Sequence, residues 1–296
     1  MRLAITGAGG FVGRAVARHL SETRFDGSVR LIDREISDHP EFETVALDLA
    51  APGALEDALD GVDRALHLAA LPGGAAQDDP ALSRRINLDL SLDLIGMMNG
   101  RRLVYASSIA VFGDSFPATV DDDTVPHPSS VYGTHKRMVE LAFADAVRRE
   151  AMTGTALRLS GIVARPGSAE GFGSAFLSDV FHVVRDGEDY QVPVSRTATS
   201  WLMSAKICAA NLVHALLSDF TEAEPIMLPA TRVSMEDLVA SAARYGDGSK
   251  ISFQRDNHIQ RLFASHPPLT TDRAASLGYK SDGTLDELVD NVFACT

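Results

Sequence analysis

Two segments of the chain carry residue types at spacings that suit chemistry. In Tyr132-Gly133-Thr134-His135-Lys136 a phenol stands four residues ahead of an ammonium, and on a helix that spacing puts both on one face, one turn apart. A phenol titrates at about pH 10 in water. A neighbouring ammonium favours the phenolate and brings it toward the range of a general base. A Tyr four residues before a Lys also arises by chance in many helices, so the pair alone reads as structural. The upstream run Ala106-Ser107-Ser108-Ile109-Ala110-Val111-Phe112-Gly113 shifts that balance. It follows a predicted strand, at the carboxyl end where open parallel sheets bind ligands.

The second segment is Thr6-Gly7-Ala8-Gly9-Gly10-Phe11-Val12-Gly13. Gly7, Gly10 and Gly13 follow a predicted strand and open a predicted helix. In that order they suit a tight turn, the approach of a pyrophosphate to the backbone, and close packing of helix on strand. The N–H groups at the helix start, around Phe11 and Val12, then bind the phosphates. Asp33 lies 20 residues past Gly13, at the end of the second predicted strand, placed to accept hydrogen bonds from ribose hydroxyls. A 2′-phosphate would meet its charge, so NAD is expected over NADP; Arg34 beside it is the opposing signal. Farther on, Asp48 and Leu49 are placed to reach the adenine. Leu68, Ala69 and Ala70 line the middle of the cofactor, and His67 reads either as part of that lining or as a packing residue.

These segments need a scaffold that presents them together. Short β-like runs at Arg2–Thr6, Val29–Asp33, Glu43–Leu47, Arg64–Leu68, Leu103–Ser107 and Thr155–Leu159 alternate with runs of helical period at Val12–Leu20, Asn87–Met98 and Tyr132–Arg149. That alternation predicts an α/β fold, a Rossmann-type doubly wound parallel sheet with right-handed crossovers. Pro166, Gly167, Gly171 and Gly173 read as a loop, Trp201–Leu217 as a further helix, and Pro225–Leu228 as a short strand. Ser234-x-Glu236-Asp237 and Thr284-Leu285-Asp286-Glu287 read as helix starts. The expected division is a cofactor domain over residues 1–165, with 197–220 returning to it. Residues 166–196 and 221–296 form a small C-terminal substrate-binding cap.

Composition narrows the function classes. The chain has 296 residues, 45% of them hydrophobic, and 27 basic against 40 acidic side chains for a formal charge of −13. The apolar content supports a substantial core, and the acidic balance argues against nucleic-acid and membrane-surface partners. Two cysteines, Cys208 and Cys295, are too few for a disulfide framework, and no metal-ligand spacing is present. No leader and no membrane span is read, so a cytoplasmic enzyme is expected.

Taken together, the chain resembles the extended short-chain dehydrogenase/reductases, the NAD-dependent epimerase/dehydratase family, over almost its whole length. The glycine loop is similar to that family's cofactor loop, Ser107–Gly113 to its catalytic Ser region, and Tyr132–Lys136 to its Tyr-x-x-x-Lys. The resemblance implies that Ser108 orients the reacting oxygen and Tyr132 is the acid/base. Lys136 would bind the nicotinamide ribose and lower the Tyr pKa. Asn87 matches the family's Asn ahead of a helix, where a plain helix-start role fits as well. A homodimer through a helix pair that includes Tyr132–Arg149 is also implied.

Three chemistries share this core. The family's dehydratases carry an acidic pair after the catalytic Ser or Thr; Ile109 and Ala110 stand there. Its nucleotide-sugar epimerases usually have a larger cap and paired acids where Ala205 and Lys206 fall. The segments from Trp201 to Ala215, Ala156–Leu159, Val163–Gly167 and Asp272–Gly278 instead resemble the D-erythronate dehydrogenase branch. That implies oxidation of the 2-hydroxyl of a small sugar acid, with a nucleotide-sugar epimerase using tightly bound NAD as the alternative and a catalytically silent dinucleotide sensor as another. Two departures stand out: Gly73-Gly74-Ala75 replace that branch's turn, and Thr199 takes the place of an Arg suited to a carboxylate. Gly74, Ser108, Arg165 and Arg196 are the candidate substrate contacts.

Overall fold

Leu3, Ala4 and Ile5 are wholly excluded from solvent, as in a strand covered by helices on both faces. They belong to β1 (Arg2–Thr6), near the middle of a seven-stranded sheet. The computed structural model describes residues 1–166 and 173–294. With β2 (Ser28–Asp33), β3 (Glu43–Ala46), β4 (Arg64–His67), β5 (Arg102–Ser108) and β6 (Thr153–Leu159), the order is β3-β2-β1-β4-β5-β6, and Ile226–Met227 lies beyond β6. The pairs β1–β2, β1–β4, β2–β3 and β4–β5 are parallel, as is β6 with Ile226–Met227. This is the doubly wound order in which direction reverses between β1 and β4, so the carboxyl ends of those two strands flank the ligand crevice.

The six strands read from the sequence all form, Arg2–Thr6 with the expected ends and the others with ends displaced by one or two residues. The first helix, Phe11–Glu22, buries Gly13, Val16, Ala17 and Leu20 on one stripe. The helix bearing Tyr132 and Lys136 runs from Val131 to Arg148, and the hydroxyl of its N-cap Ser130 accepts the N–H of Gly133 at 3.1 Å, satisfying one of the donors a helix start leaves open. Ser234 and Thr284 cap Met235–Ala242 and Leu285–Phe293, the latter with a complete capping box.

Two elements differ from the sequence reading. Trp201–Leu217 is not one helix: Thr199–Ser204 is a strand, and the helix starts at Ala205. The apolar run Trp201-Leu202-Met203 is too short to carry a periodicity that separates a buried strand from a buried helix. Here Gly161–Val163 and Thr231–Ser234 pair with it on either side, covering both edges. The expected helix Asn87–Met98 likewise divides into a π-helical turn, Arg84–Asp89, and a helix over Leu90–Met97.

The chain folds as two compact units. The first comprises 1–111, 130–158 and 209–227, and the second 112–129, 159–208 and 228–296. These units differ from the expected division at 112–129, 159–165 and 197–208, which fall in the second unit, and at 221–227, which falls in the first. The second unit is close to half of the chain. It has its own core around Phe176, Phe181, Leu202, Met235, Leu238 and Leu288. Among the described residues no helix is long and apolar enough to cross a membrane.

Candidate active site

The glycine loop leaves β1 through Gly7, whose φ of 72° lies in the left-handed region. A Cβ at Gly7 would stand 2.6 Å from the Ala69 nitrogen, and one at Gly13 would stand 2.3 Å from the Gly7 carbonyl oxygen. Backbone therefore fills both places. Gly10 is different. It is exposed, and a Cβ there would meet only the Gly7 carbonyl, at 3.2 Å. It is also the N-cap of Phe11–Glu22, with no side-chain cap, so the first N–H groups of that helix remain available to an anion.

Asp33 closes the loop from the side. Its Oδ2 accepts the N–H of Gly9 at 2.9 Å and its Oδ1 that of Arg34 at 2.7 Å, while the side chain stays half-buried. Asp48 is exposed, with Oδ1 accepting the N–H of Ala50, and Leu49 is buried. Leu68, Ala69 and Ala70, at the carboxyl end of β4, are half-buried. The Leu68 N–H donates to the Thr6 carbonyl at 3.1 Å, so this segment lies directly against the root of the glycine loop.

His67 is a packing residue. It is 1% exposed; its Nδ1 accepts from Thr6 Oγ1 at 2.7 Å, and its Nε2 donates to Ser91 Oγ, whose own proton goes to the Asn87 carbonyl. Burial, with Lys136 nearby, pulls its pKa down to about 3. Asn87 is equally engaged. Its Oδ1 accepts the Leu71 N–H at 2.7 Å, and its Nδ2 donates to the Leu71 carbonyl at 3.0 Å and to Ser83 Oγ at 3.1 Å. The Ser83 hydroxyl is hydrogen-bonded to His135 Nδ1 at 2.9 Å. Asn87 therefore clamps the segment after β4 and links it to the helix of Tyr132. Gly74, half-buried, lies in the first turn of the short helix Gly73–Asp78 that follows.

Ser108 ends β5, half-buried, its hydroxyl accepting the N–H of Ala110 at 3.1 Å. Tyr132 is half-buried in the first turn of its helix, and Lys136 is 2% exposed. The ammonium donates to the Ala106 carbonyl at 2.7 Å, and its nitrogen lies 4.7 Å from the ring centre of Tyr105 and 5.6 Å from that of Tyr132. Both distances suit a cation held against aromatic faces. Burial drives the Lys136 pKa down to about 7, against the opposing pull of the Glu140 carboxylate. All three side chains belong to the first unit.

The sequence reading did not single out Glu140 or Arg158, which lie behind Lys136 and form a fully buried ion pair. The available signal was a charged residue on the buried stripe of an amphipathic helix, opposite an Arg inside the apolar strand Ala156-Leu157-Arg158-Leu159.

In the second unit, the Arg165 N–H donates to Ser178 Oγ, and the Arg165 carbonyl accepts from His182 Nε2; Gly167, Gly171 and Cys295 lie outside the described residues. Arg196 is exposed, its guanidinium 4.7 Å from the ring centre of Phe253. It lines a groove of about 410 Å³ with Glu236, Asp247 and Ser249. Thr199 has a cationic neighbour that the sequence reading missed: Arg232 donates through Nη2 to Thr199 Oγ1 at 3.2 Å and through Nε to the His266 carbonyl at 2.9 Å. Trp201 is fully buried, stacked on His266 at 4.6 Å, with Nε1 donating to the Pro267 carbonyl; it is a core residue. Among the described residues no group of three or more His, Cys, Asp or Glu is arranged to hold a metal ion.

A doubly wound sheet, a glycine-rich turn at its switch point and an acidic residue ending β2 define a dinucleotide-binding enzyme. The chain belongs to the NAD dependent epimerase/dehydratase family, which it matches over residues 3–218. It is an NAD-dependent enzyme of the extended short-chain dehydrogenase/reductase kind. It is 29% identical to the D-erythronate dehydrogenases of Cupriavidus necator and Haemophilus influenzae; each match takes in 98% of this chain and 97% and 98% of theirs, respectively. Among solved structures, the nucleoside-diphosphate-sugar epimerase from Agrobacterium tumefaciens superposes with a TM-score of 0.89 at 27% identity, covering 98% of this chain and 92% of that one. The residues present fit NAD: Gly10 offers open backbone, the helix start is uncapped, and Asp33 is a half-buried acceptor at the end of β2.

Proposed function

We propose that this protein is an NAD-dependent dehydrogenase that oxidises the 2-hydroxyl of a small sugar acid of the D-erythronate kind. The observation that carries the chemistry is the Lys136 ammonium lodged 5.6 Å from the Tyr132 ring centre. The substrate class rests on near-full-length similarity to the two D-erythronate dehydrogenases.

In this reading Gly7, Gly10, Gly13 and the N–H groups of Phe11 and Val12 hold the pyrophosphate, and Asp33 takes the adenosine ribose. Asp48 and Leu49 border the adenine, and Leu68–Ala70 the middle of the cofactor. Asn87 acts by holding Leu71. Ser108 donates a hydrogen bond to the substrate hydroxyl oxygen, and Tyr132, as phenolate, removes the hydroxyl proton. The Lys136 cation stabilises that phenolate and reaches the nicotinamide ribose. NAD, when bound, supplies the acceptor for the hydride leaving the same carbon, whose C–O bond becomes a carbonyl. The carboxylate of such a substrate needs a cation. Arg165 and Arg196 are joined as candidates by Arg232, which stands beside Thr199.

The second reading, a nucleotide-sugar epimerase, is favoured by the likeness to the Agrobacterium enzyme. One experiment separates the two: incubation with NAD and a panel of four- to six-carbon sugar acids and nucleotide sugars, followed by NADH absorbance. A dehydrogenase accumulates NADH with a sugar acid. Epimerised nucleotide sugar without net NADH, and no oxidation of any acid, replaces our reading with the second.

We further propose a cytoplasmic homodimer serving carbohydrate metabolism. Met138 and Leu141 are 45% and 53% exposed on the Val131–Arg148 helix, and Leu92 is 37% exposed on Leu90–Met97, an apolar set suited to a subunit contact. Light scattering that gives a monomer removes the dimer.

A further inference from the structure

Glu140 is 0% exposed and lies one turn beyond Lys136 on the same helix. Both of its oxygens are fully engaged. Oε1 accepts from Ser107 Oγ at 2.6 Å and from Arg158 Nε at 2.9 Å, and Oε2 from Arg158 Nη2 at 2.9 Å and Arg137 Nη1 at 3.0 Å. One carboxylate thus joins three elements: the helix that carries Tyr132 and Lys136, the last turn of β5 immediately before Ser108, and β6. A two-pronged Arg–carboxylate contact fixes orientation as well as distance, so rotation of the helix about its axis would break it.

The electrostatics point the same way. Lys136 is packed against Tyr105 of β5 and Tyr132 of its own helix, with His67 of β4 close enough to feel its charge. Its hydrogen bond goes to a neutral carbonyl. Glu140 is the anion acting on it, and works against the burial that drives the proton off. The remaining charges on Glu140 itself are those of Arg158 and Arg137.

We propose that Glu140 is a positioning residue for the reaction: clamped by Arg158 and Ser107, it fixes the Tyr132–Lys136 helix against Ser108 and keeps Lys136 cationic in a buried site. The kinetic part of this inference rests on the dehydrogenase reading; the charge on Lys136 does not.

The test uses the full-length protein. Lys136, Lys206, Lys250 and Lys280 are its four lysines, so lysine labelled with ¹³C at Cε gives four resonances to titrate. Lys136 should titrate well below the other three, and Glu140→Gln should lower its midpoint by a further unit or so, about the effect of removing a charge a few ångströms away. If Glu140→Gln does not fold, Arg137→Gln, at a partly exposed site, serves instead. Loss of that cation leaves Glu140 less neutralised, and the Lys136 midpoint should rise. In the kinetic arm, the alkaline limb of kcat in Glu140→Gln moves to lower pH while NAD affinity stays within about twofold; a purely structural role would lower kcat without moving the limb. A Lys136 midpoint unchanged in both variants overturns the proposal. A wild type with no dehydrogenase activity but the expected NMR shifts overturns the functional reading and leaves this inference standing.

Discussion

The carboxylate of Asp33 accepts the backbone N–H of Gly9 at 2.9 Å, so the residue that ends β2 also braces the glycine loop. Asp33→Ala removes that brace together with the proposed ribose acceptor. NAD binding should weaken by about tenfold or more, a hydrogen bond to a charged group being worth about 1.5–3 kcal/mol, and the preference for NAD over NADP should narrow. Fluorescence titration of both cofactors measures this. Tighter binding of NADP than NAD by the wild type transfers the specificity role to Arg34.

Gly10 and Gly13 should respond to the same substitution in opposite ways. Gly13→Ala drives a methyl to 2.3 Å from the Gly7 carbonyl oxygen and should lower stability by about 1–3 kcal/mol, the usual cost of overpacking. Gly10→Ala meets only one atom, at 3.2 Å. It should melt near the wild type yet bind NAD more weakly, because its methyl would take the space proposed for the pyrophosphate. Calorimetry of melting and of NAD binding reads both effects. Wild-type NAD affinity in Gly10→Ala would remove this loop from the cofactor site.

Tyr132→Phe leaves the ring in place against Lys136 and deletes only the hydroxyl. Turnover should fall by roughly two to four orders of magnitude, the contribution of a positioned acid/base, with NAD affinity preserved. Activity within about tenfold of the wild type takes Tyr132 out of that role.

His67 and His266 make the fold sensitive to acid. Burial holds their pKa values down to about 3 and about 4, whereas an unfolded imidazole titrates at about 6.5. As pH falls from the unfolded value toward the folded one, only the unfolded chain takes up the proton. Each residue therefore removes stability at up to about 1.4 kcal/mol per pH unit, and the loss stops below the folded pKa. Urea unfolding from pH 7 to 4.5 should show this slope, and His266→Asn should flatten it. An unchanged slope in that variant refutes the assignment.

The legible parts of the molecule were those in which local chemistry decides the outcome. Gly7, Gly10 and Gly13 announce a turn and a close approach that few other residues permit, and the alternation of short strands with helical runs fixes a parallel sheet. Trp201–Ser204 was read as part of a helix because Trp201-Leu202-Met203 is too short to show a period, and only the pairing of Thr199–Ser204 with Thr231–Ser234 and Gly161–Val163 reveals a strand. Asn87 showed its residue type but not its partner, Leu71, because a side chain that clamps a distant backbone leaves no trace in local spacing. The same holds for Glu140, whose partners Arg158 and Ser107 come from two other elements, and for Arg232, which arrives beside Thr199 from 33 residues downstream.

The route of the chain between its two compact units limits how such an enzyme can be altered. It passes from one to the other at Val111–Phe112, Ser129–Ser130, Arg158–Leu159, Cys208–Ala209 and Met227–Leu228, so neither unit is a continuous stretch of sequence. A single genetic crossover cannot exchange one unit for a relative's, and a single proteolytic nick cannot release either. The residues proposed for hydride chemistry, Ser108, Tyr132 and Lys136, lie in one unit, and the proposed carboxylate cations Arg165, Arg196 and Arg232 lie in the other. If that assignment holds, new specificity would be sought by point changes or loop replacement within the second unit, whereas a designed chimera would have to splice the chain at five junctions at once.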